Sequence, residues 1–152
     1  MADEERVLPP ATERASYKIW THDKLRYNDT DRQGHVNNAV FATFCETGRV
    51  AFLYDESLAL AAPGCNFVVA RLTIDFRAEL YFPGTVDIGT RVLKIGRSSF
   101  VVGQGVFNGD VCVATAESVG VQMNDETRKS QPLTSAMVAW LEERLAYGHP
   151  PA

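Results

Sequence analysis

At 152 residues, 45% of them hydrophobic and 22% charged, the chain has the composition of one soluble domain large enough to bury a core. The formal net charge is -4; acids Asp3, Glu4, Glu5 and Glu13 against Arg6 and Arg14 put half of it in the N-terminal tail, and the near-balanced body excludes a general nucleic-acid binder, which needs a basic stripe. Three widely spaced cysteines without a CxxC pair suggest neither a disulfide framework nor a zinc site, no apolar run approaches the ~20 residues of a membrane span, and MADEERVLPP lacks the order of a secretory signal, so a cytoplasmic location is expected.

Residues 1–15, with Pro9 and Pro10, read as a flexible acidic tail and 148–152 as a loose C-terminus, which leaves 16–147 as the single domain. Lys18 to Tyr27 is the first expected strand, with Tyr17, Ile19, Leu25 and Tyr27 on one parity. A polar loop, residues 28–37, follows. From about Asn38 to Glu56 the apolar residues Phe41, Phe44, Cys45, Gly48, Ala51 and Phe52 recur at helical spacing and predict a buried face. Gly48 costs a helix interior roughly 1 kcal/mol against alanine, which marks a point of close backbone approach. Glu46 and Arg49, three apart on the outer side, suit a surface ion pair better than chemistry.

Pro63-Gly64 makes a turn, after which Val68, Ala70, Leu72, Ile74, Phe76 and Ala78 alternate with polar residues as one half-buried strand. Phe82-Pro83-Gly84 breaks it. Val86 to Ile95 and Ser98 to Phe107 are the next strands, and Gly103 and Gly105 predict a close neighbour on one face. Asn108-Gly109 signals a two-residue type I′ hairpin into a strand from Val111 to Val121. Thr134 then caps a short helix that Gly148 stops. The order is an α+β design, a curled antiparallel sheet of about five strands around one long helix, with a short C-terminal helix. Such a sheet keeps open edges and an uncovered face, so a homodimer or a dimer-of-dimers homotetramer is expected.

The run DTDRQGHVNN (residues 29–38) ahead of the long helix, with FRAELYFPGT, KIGRSSF and ATAESVGVQMND downstream, resembles the hotdog-fold acyl-CoA thioesterases of the 4-hydroxybenzoyl-CoA thioesterase type. The resemblance spans residues 18 to about 132 and implies the hotdog fold. It also implies that Asp31, the second acid of the DxD pair, is the catalytic carboxylate, and that the backbone N–H of Asn38 receives the thioester oxygen. Helix N-termini suit that task, because unpaired N–H groups and the dipole stabilise an oxyanion. A thiolate resembles cysteine, with a reference pKa of about 8.5, and leaves with little acid assistance. Asp31 serves either as nucleophile or as general base.

Around these residues, Gly34 supplies a backbone angle and room for the acyl group. His35 suits a water or sulfur contact and equally a structural hydrogen bond. Asn37 is assigned to the substrate-binding set, although Asn37 and Asn38 also suit helix caps, and Asp29 reads as a turn acid. The resemblance sets Arg97 and Ser99 against the coenzyme A arm and Arg128, beside Lys129, at a second phosphate, although exposed Arg and Lys are also the norm for a solvated surface. Phe41, Phe44, Phe67 and Val69 suit an aliphatic or an aromatic acyl group in a pocket made by two chains. No metal and no cofactor is expected, coenzyme A being part of the substrate. The expected activity is acyl-CoA hydrolysis. The alternatives are an acyl carrier protein thioesterase or a non-catalytic acyl-CoA-binding hotdog module, while a hydratase is disfavoured by the missing Asp-x-x-Pro-x-His pattern.

Overall fold

The computed structural model describes residues 8–54 and 60–146. Its elements run β1 (Ile19–Lys24), α1 (Asn38–Leu53), β2 (Cys65–Phe76), β3 (Thr85–Ile95), β4 (Ser99–Asn108), β5 (Val111–Asn124) and α2 (Ser135–Glu142). The strands form one antiparallel sheet in the order β1-β3-β4-β5-β2. Both partners of α1 along the chain, β1 and β2, are therefore edge strands, and the helix crosses the concave face to join them. This is the hotdog arrangement. Two apolar clusters lie between helix and sheet, one around Phe41, Phe44, Ile88 and Val106 and the other around Phe52, Val92, Phe100 and Met137.

Gly48 is where α1 meets the sheet. A Cβ there would stand 2.7 Å from Ile88 Cγ2 and overlap the Gln104 side-chain nitrogen. That nitrogen donates to Cys45 O at 3.0 Å and Thr90 Oγ1 at 3.1 Å, so a polar residue holds the helix on the sheet from inside the core. The glycines of β4 have the close neighbours expected of them, Leu93 over Gly103 and the rings of Tyr17 and Phe107 over Gly105. The Glu46–Arg49 ion pair does not form: the pairs among the described residues are Arg14–Asp87, His35–Asp31 and Arg144–Glu143.

Several boundaries differ from the periodicity. β1 stops at Lys24, because Leu25 N donates to Gly84 O and the chain turns into a 3-10 helix over Tyr27–Asp29, leaving Tyr27 79% exposed. In β2 the register shifts between Val69 and Arg71, and Ala70 is the extra residue of a bulge. The bulge flips parity, so Cys65 and Phe67 point inward before it and Leu72 and Ile74 after it, in place of one continuous face from Val68 to Ala78. Asn108 pairs with Val111, so the hairpin loop is Gly109-Asp110, one residue later than the Asn-Gly signal. Only Gly109 has positive φ, as in a type II′ turn.

The long helix is described to Leu53, and its expected extension to Glu56 lies outside the described residues. α2, capped by Thr134 Oγ1 accepting from Met137 N at 3.1 Å, ends at Glu142, short of Gly148. β1 reaches only Thr90 on β3, and Val92 is met instead by the chain after α2: Leu145 bridges to it and Ala146 N donates to its carbonyl at 2.8 Å. From residue 9 onward, the segment assigned to a loose tail makes contacts: Arg91 donates to Pro9 O at 2.6 Å, Tyr17 OH to Ala11 O at 2.6 Å, and Arg14 pairs with Asp87 at 3.1 Å. The segment thereby covers part of the outer face of the sheet.

Candidate active site

The polar loop between β1 and α1 is built from its own side chains. Asp29 Oδ2 accepts from Arg26 N at 2.8 Å, closing the 3-10 turn, and its backbone carbonyl accepts from Asn37 N at 2.8 Å. Asp29 is thus a structural acid, as its place in a turn suggests. Thr30 bridges Val36, and Asp31 N donates to His35 O at 2.9 Å, so the stretch between them forms a tight hairpin. Gly34 sits at its tip with φ +87°, a left-handed angle that side chains resist. Nothing lies within 4 Å of a Cβ added there, so the backbone angle alone explains the glycine within one chain.

The hairpin presents Asp31 and His35 together. Asp31 Oδ1 accepts from Gln33 N at 2.9 Å, and Oδ2 lies 3.4 Å from His35 Nδ1. The two side chains retain 22% and 18% exposure, enough to meet a solvent-borne group while keeping their mutual orientation. His35 Nδ1 also faces Val36 O at 3.3 Å. Two acceptors beside Nδ1 favour the neutral tautomer that carries its proton there.

Immediately beyond, Asn37 caps α1, its Oδ1 accepting from Ala39 N at 3.0 Å. Val40 N donates to Asn37 O, but the Asn38 N–H has no acceptor among the described residues. It is exposed at the positive end of the helix dipole, available to an oxygen that gains charge. A cavity of about 370 Å³ opens here, lined by Gln33, His35, Asn38, Phe41, Phe76 and Glu79. Asp31 stands behind His35 and is absent from that lining. Phe41 and Phe76 meet edge to face at 5.3 Å, giving the cavity an aromatic wall.

The residues assigned to the coenzyme lie elsewhere. The Asp31 hairpin is tied to the start of β3 through Leu25–Gly84 and Val36–Leu80, whereas Arg97 and Ser99 flank the β3–β4 turn at the other end of that 11-residue strand. At about 3.3 Å per residue the separation is roughly 30 Å. Arg128 is at the same far end, in the turn after β5, exposed and with φ 60°. The two groups are coherent among themselves, since Leu133 N donates to Arg97 O and Gln131 N to Gln122 O, which stitches the β3–β4 turn to the chain that follows Arg128. Phe67 and Val69 also line a separate cavity, of about 180 Å³, at the C-terminal end of α1, and Phe44 is core. One chain therefore does not bring Asp31 together with Arg97, Ser99 or Arg128.

Sequence reasoning missed Phe76, Glu79 and Tyr81 beside the hairpin. The ELYFPG stretch looked like a strand exit, yet Val36 N donates to Leu80 O at 2.7 Å and the Tyr81 ring lies edge-on to His35 at 6.5 Å. The one available signal was a Glu-x-Tyr spacing that sets both side chains on one side of an extended exit. Among the described residues, no group of His, Cys, Asp and Glu is arranged to hold a metal ion, and no helix is long and apolar enough to cross a membrane.

A family model described as the thioesterase-like superfamily matches residues 25–141. The acyl-CoA thioester hydrolase YbgC of Escherichia coli is similar at 27% identity over 120 residues, covering 76% of this chain and 90% of that protein. The 1,4-dihydroxy-2-naphthoyl-CoA hydrolase of Synechococcus elongatus is 23% identical over 123 residues, covering 78% of this chain and 90% of its own length. Among solved structures, the PA5185 protein of Pseudomonas aeruginosa shares the fold with a TM-score of 0.80 at 21% identity, covering 91% of this chain and 99% of that one.

Proposed function

The chain belongs to the thioesterase-like superfamily and is a thioester hydrolase; from that premise we propose that it cleaves an acyl-CoA to a free carboxylic acid and coenzyme A at the Asp31 hairpin. The observation that carries the reading is that His35, with the Asp31 carboxylate 3.4 Å behind it, and Asn38, whose N–H has no acceptor among the described residues, line one cavity. A thioester whose carbonyl oxygen points at Asn38 has its carbon in the cavity that His35 of the hairpin also lines. Negative charge that develops on that oxygen during attack is met by the N–H and the helix dipole. Asp31 supplies the carboxylate on which attack depends, either by activating water or by adding to the carbonyl. The substrates in the names of the two similar hydrolases, both coenzyme A esters, favour coenzyme A over an acyl carrier protein.

The spatial separation of Arg97, Ser99 and Arg128 from Asp31 fits a site assembled from two copies. One copy contributes the hairpin and helix start, and the other the coenzyme-binding turn and the C-terminal half of α1. β2 offers the means: it is a 12-residue edge strand whose outer side lacks a strand partner among the described residues, with Val69 46% and Phe76 51% exposed. A homodimer formed along that edge, or a tetramer of such dimers, is the working form in a cytoplasmic setting. No cofactor is invoked.

Replacing Asp31 by Asn is the test. Thiol release from a panel of acyl-CoA esters falls by about two orders of magnitude or more, while the melting temperature and coenzyme A binding stay as they were. Normal turnover by Asp31→Asn would remove the assignment. Uniformly slow turnover by the unmodified chain across the panel would favour the binding module.

A further inference from the structure

We propose that Tyr81, anchored by Glu79, is a positioning residue that holds the His35 ring in place and through it the Asp31 carboxylate; the proposal rests on the thioesterase reading above. Four groups stand in sequence. The Tyr81 hydroxyl donates to Glu79 Oε2, the Tyr81 ring lies edge-on to the His35 ring at 6.5 Å and 76°, and His35 Nδ1 faces Asp31 Oδ2 at 3.4 Å. The backbone makes the same connection, since Leu80, between the two, accepts from Val36 N at 2.7 Å. Two neighbouring rings repeat it, Tyr27 meeting Phe82 edge to face at 5.8 Å.

Burial does not explain Tyr81. It is 54% exposed, and Glu79 is exposed as well. Two side chains ordered on each other at the surface lose rotamer freedom for a bond that contributes little net stability. The bond's geometric effect is larger: it fixes the ring plane that His35 packs against. On its other flank the polar neighbours of His35 are Asp31 and the Val36 carbonyl, and removing the Tyr81 ring opens space into which the imidazole can shift away from Asp31. Asp31 Oδ2 would then lose its one side-chain neighbour, while Oδ1 stays on Gln33 N. Glu79 lines the same cavity as His35 and Asn38, so the anchor and the ring it positions both border that cavity. The Glu79 bond also pushes the Tyr81 phenol above its ordinary pKa.

The test uses the full chain with benzoyl-CoA and octanoyl-CoA, an aromatic and an aliphatic ester, and thiol release as the readout. Tyr81→Ala lowers kcat about tenfold with KM and melting temperature unchanged, the size expected when a reacting group is misplaced and binding is not. Tyr81→Phe keeps the ring and loses the anchor, and it matches Glu79→Ala with a smaller loss. In a His35→Asn background, Tyr81→Ala has no further effect, because the residue through which it acts is gone. Independently of turnover, the His35 ring protons lose a ring-current shift in Tyr81→Ala. An unchanged kcat in Tyr81→Ala overturns the proposal, as does an equal fold-loss with and without His35. An unmodified chain that hydrolyses neither ester overturns the parent reading and this one with it; activity in the unmodified chain separates the two failures.

Discussion

Gly48→Ala tests how tightly α1 is seated, and its cost follows from three contacts. The new methyl group meets Ile88 Cγ2 at 2.7 Å and Thr90 Oγ1 at 3.3 Å and overlaps the Gln104 nitrogen. Moving that nitrogen breaks its bonds to Cys45 O and Thr90 Oγ1, at about 1–1.5 kcal/mol each. Overpacking against Ile88 adds about 1–3 kcal/mol, while alanine returns about 1 kcal/mol of helix propensity. The net destabilisation is about 2–5 kcal/mol, which for a domain of this size lowers the melting temperature by about 4–20 °C. Urea and thermal denaturation followed by circular dichroism measure it. Gln104→Ala clears one of the three contacts, so adding Gly48→Ala to that variant costs less than adding it to the native chain. A Gly48→Ala protein that is neutral, or more stable by the propensity gain, would show that the helix stands off the sheet and would refute the reasoning.

The two acids of the hairpin separate by assay. Asp29→Ala removes the carboxylate that accepts from Arg26 N and lowers stability by about 1 kcal/mol, as loss of a capping acceptor does, with kcat per folded molecule within a few-fold of native; a loss as large as that of Asp31→Asn would give Asp29 a chemical role. Alkaline pH provides a second measurement. Burial pushes the Cys45 thiol up to about 11 and the Tyr17 phenol up to about 12, from ordinary values of 9.0 and 10.0. A raised folded pKa means that the native state holds its proton longer, so this contribution is complete below pH 9 and is lost as pH climbs to 11 and 12. The urea midpoint therefore falls across that range, and a midpoint flat to pH 12 would contradict the burial of both groups. Cys45 also stays unreactive toward thiol reagents at pH 8 until the chain unfolds.

What the sequence made legible were features whose cause is local. Asn37 and Thr134 accept from the amides a cap should satisfy, two residues and three residues on. Gly34 has the angle only glycine takes easily, and Gly48 has the neighbour its placement implied. What was not legible depends on partners far along the chain. Ala70 is an ordinary residue in an ordinary alternation, and only pairing with β5 makes it the bulge that reverses a face. The hairpin moved by one residue because Asn108 was worth more as a rung opposite Val111 than as a turn residue. Tyr81 looked like part of a chain reversal, since nothing nearby in sequence says that His35 will lie beside it. In the same way Arg97 and Asp31 carry recognisable motifs, but their motifs contain no distance, and the length of β3 sets them apart.

The strand order also decides when the Asp31 hairpin takes shape. β3, β4 and β5 follow one another through short turns and pair with their sequence neighbours, so that meander closes small loops and assembles early. β1 is paired across a long stretch of chain, Ile19 finding Thr90 and Lys24 finding Thr85, and it is held on one side only. Asp31 hangs from that strand and from Leu80 just ahead of β3, so its geometry is complete only after the most distant pairing has formed. On mild heating or in dilute denaturant the same edge opens first. Turnover then fades while the β3–β5 meander still shows its full protection against hydrogen exchange, and it returns last on refolding.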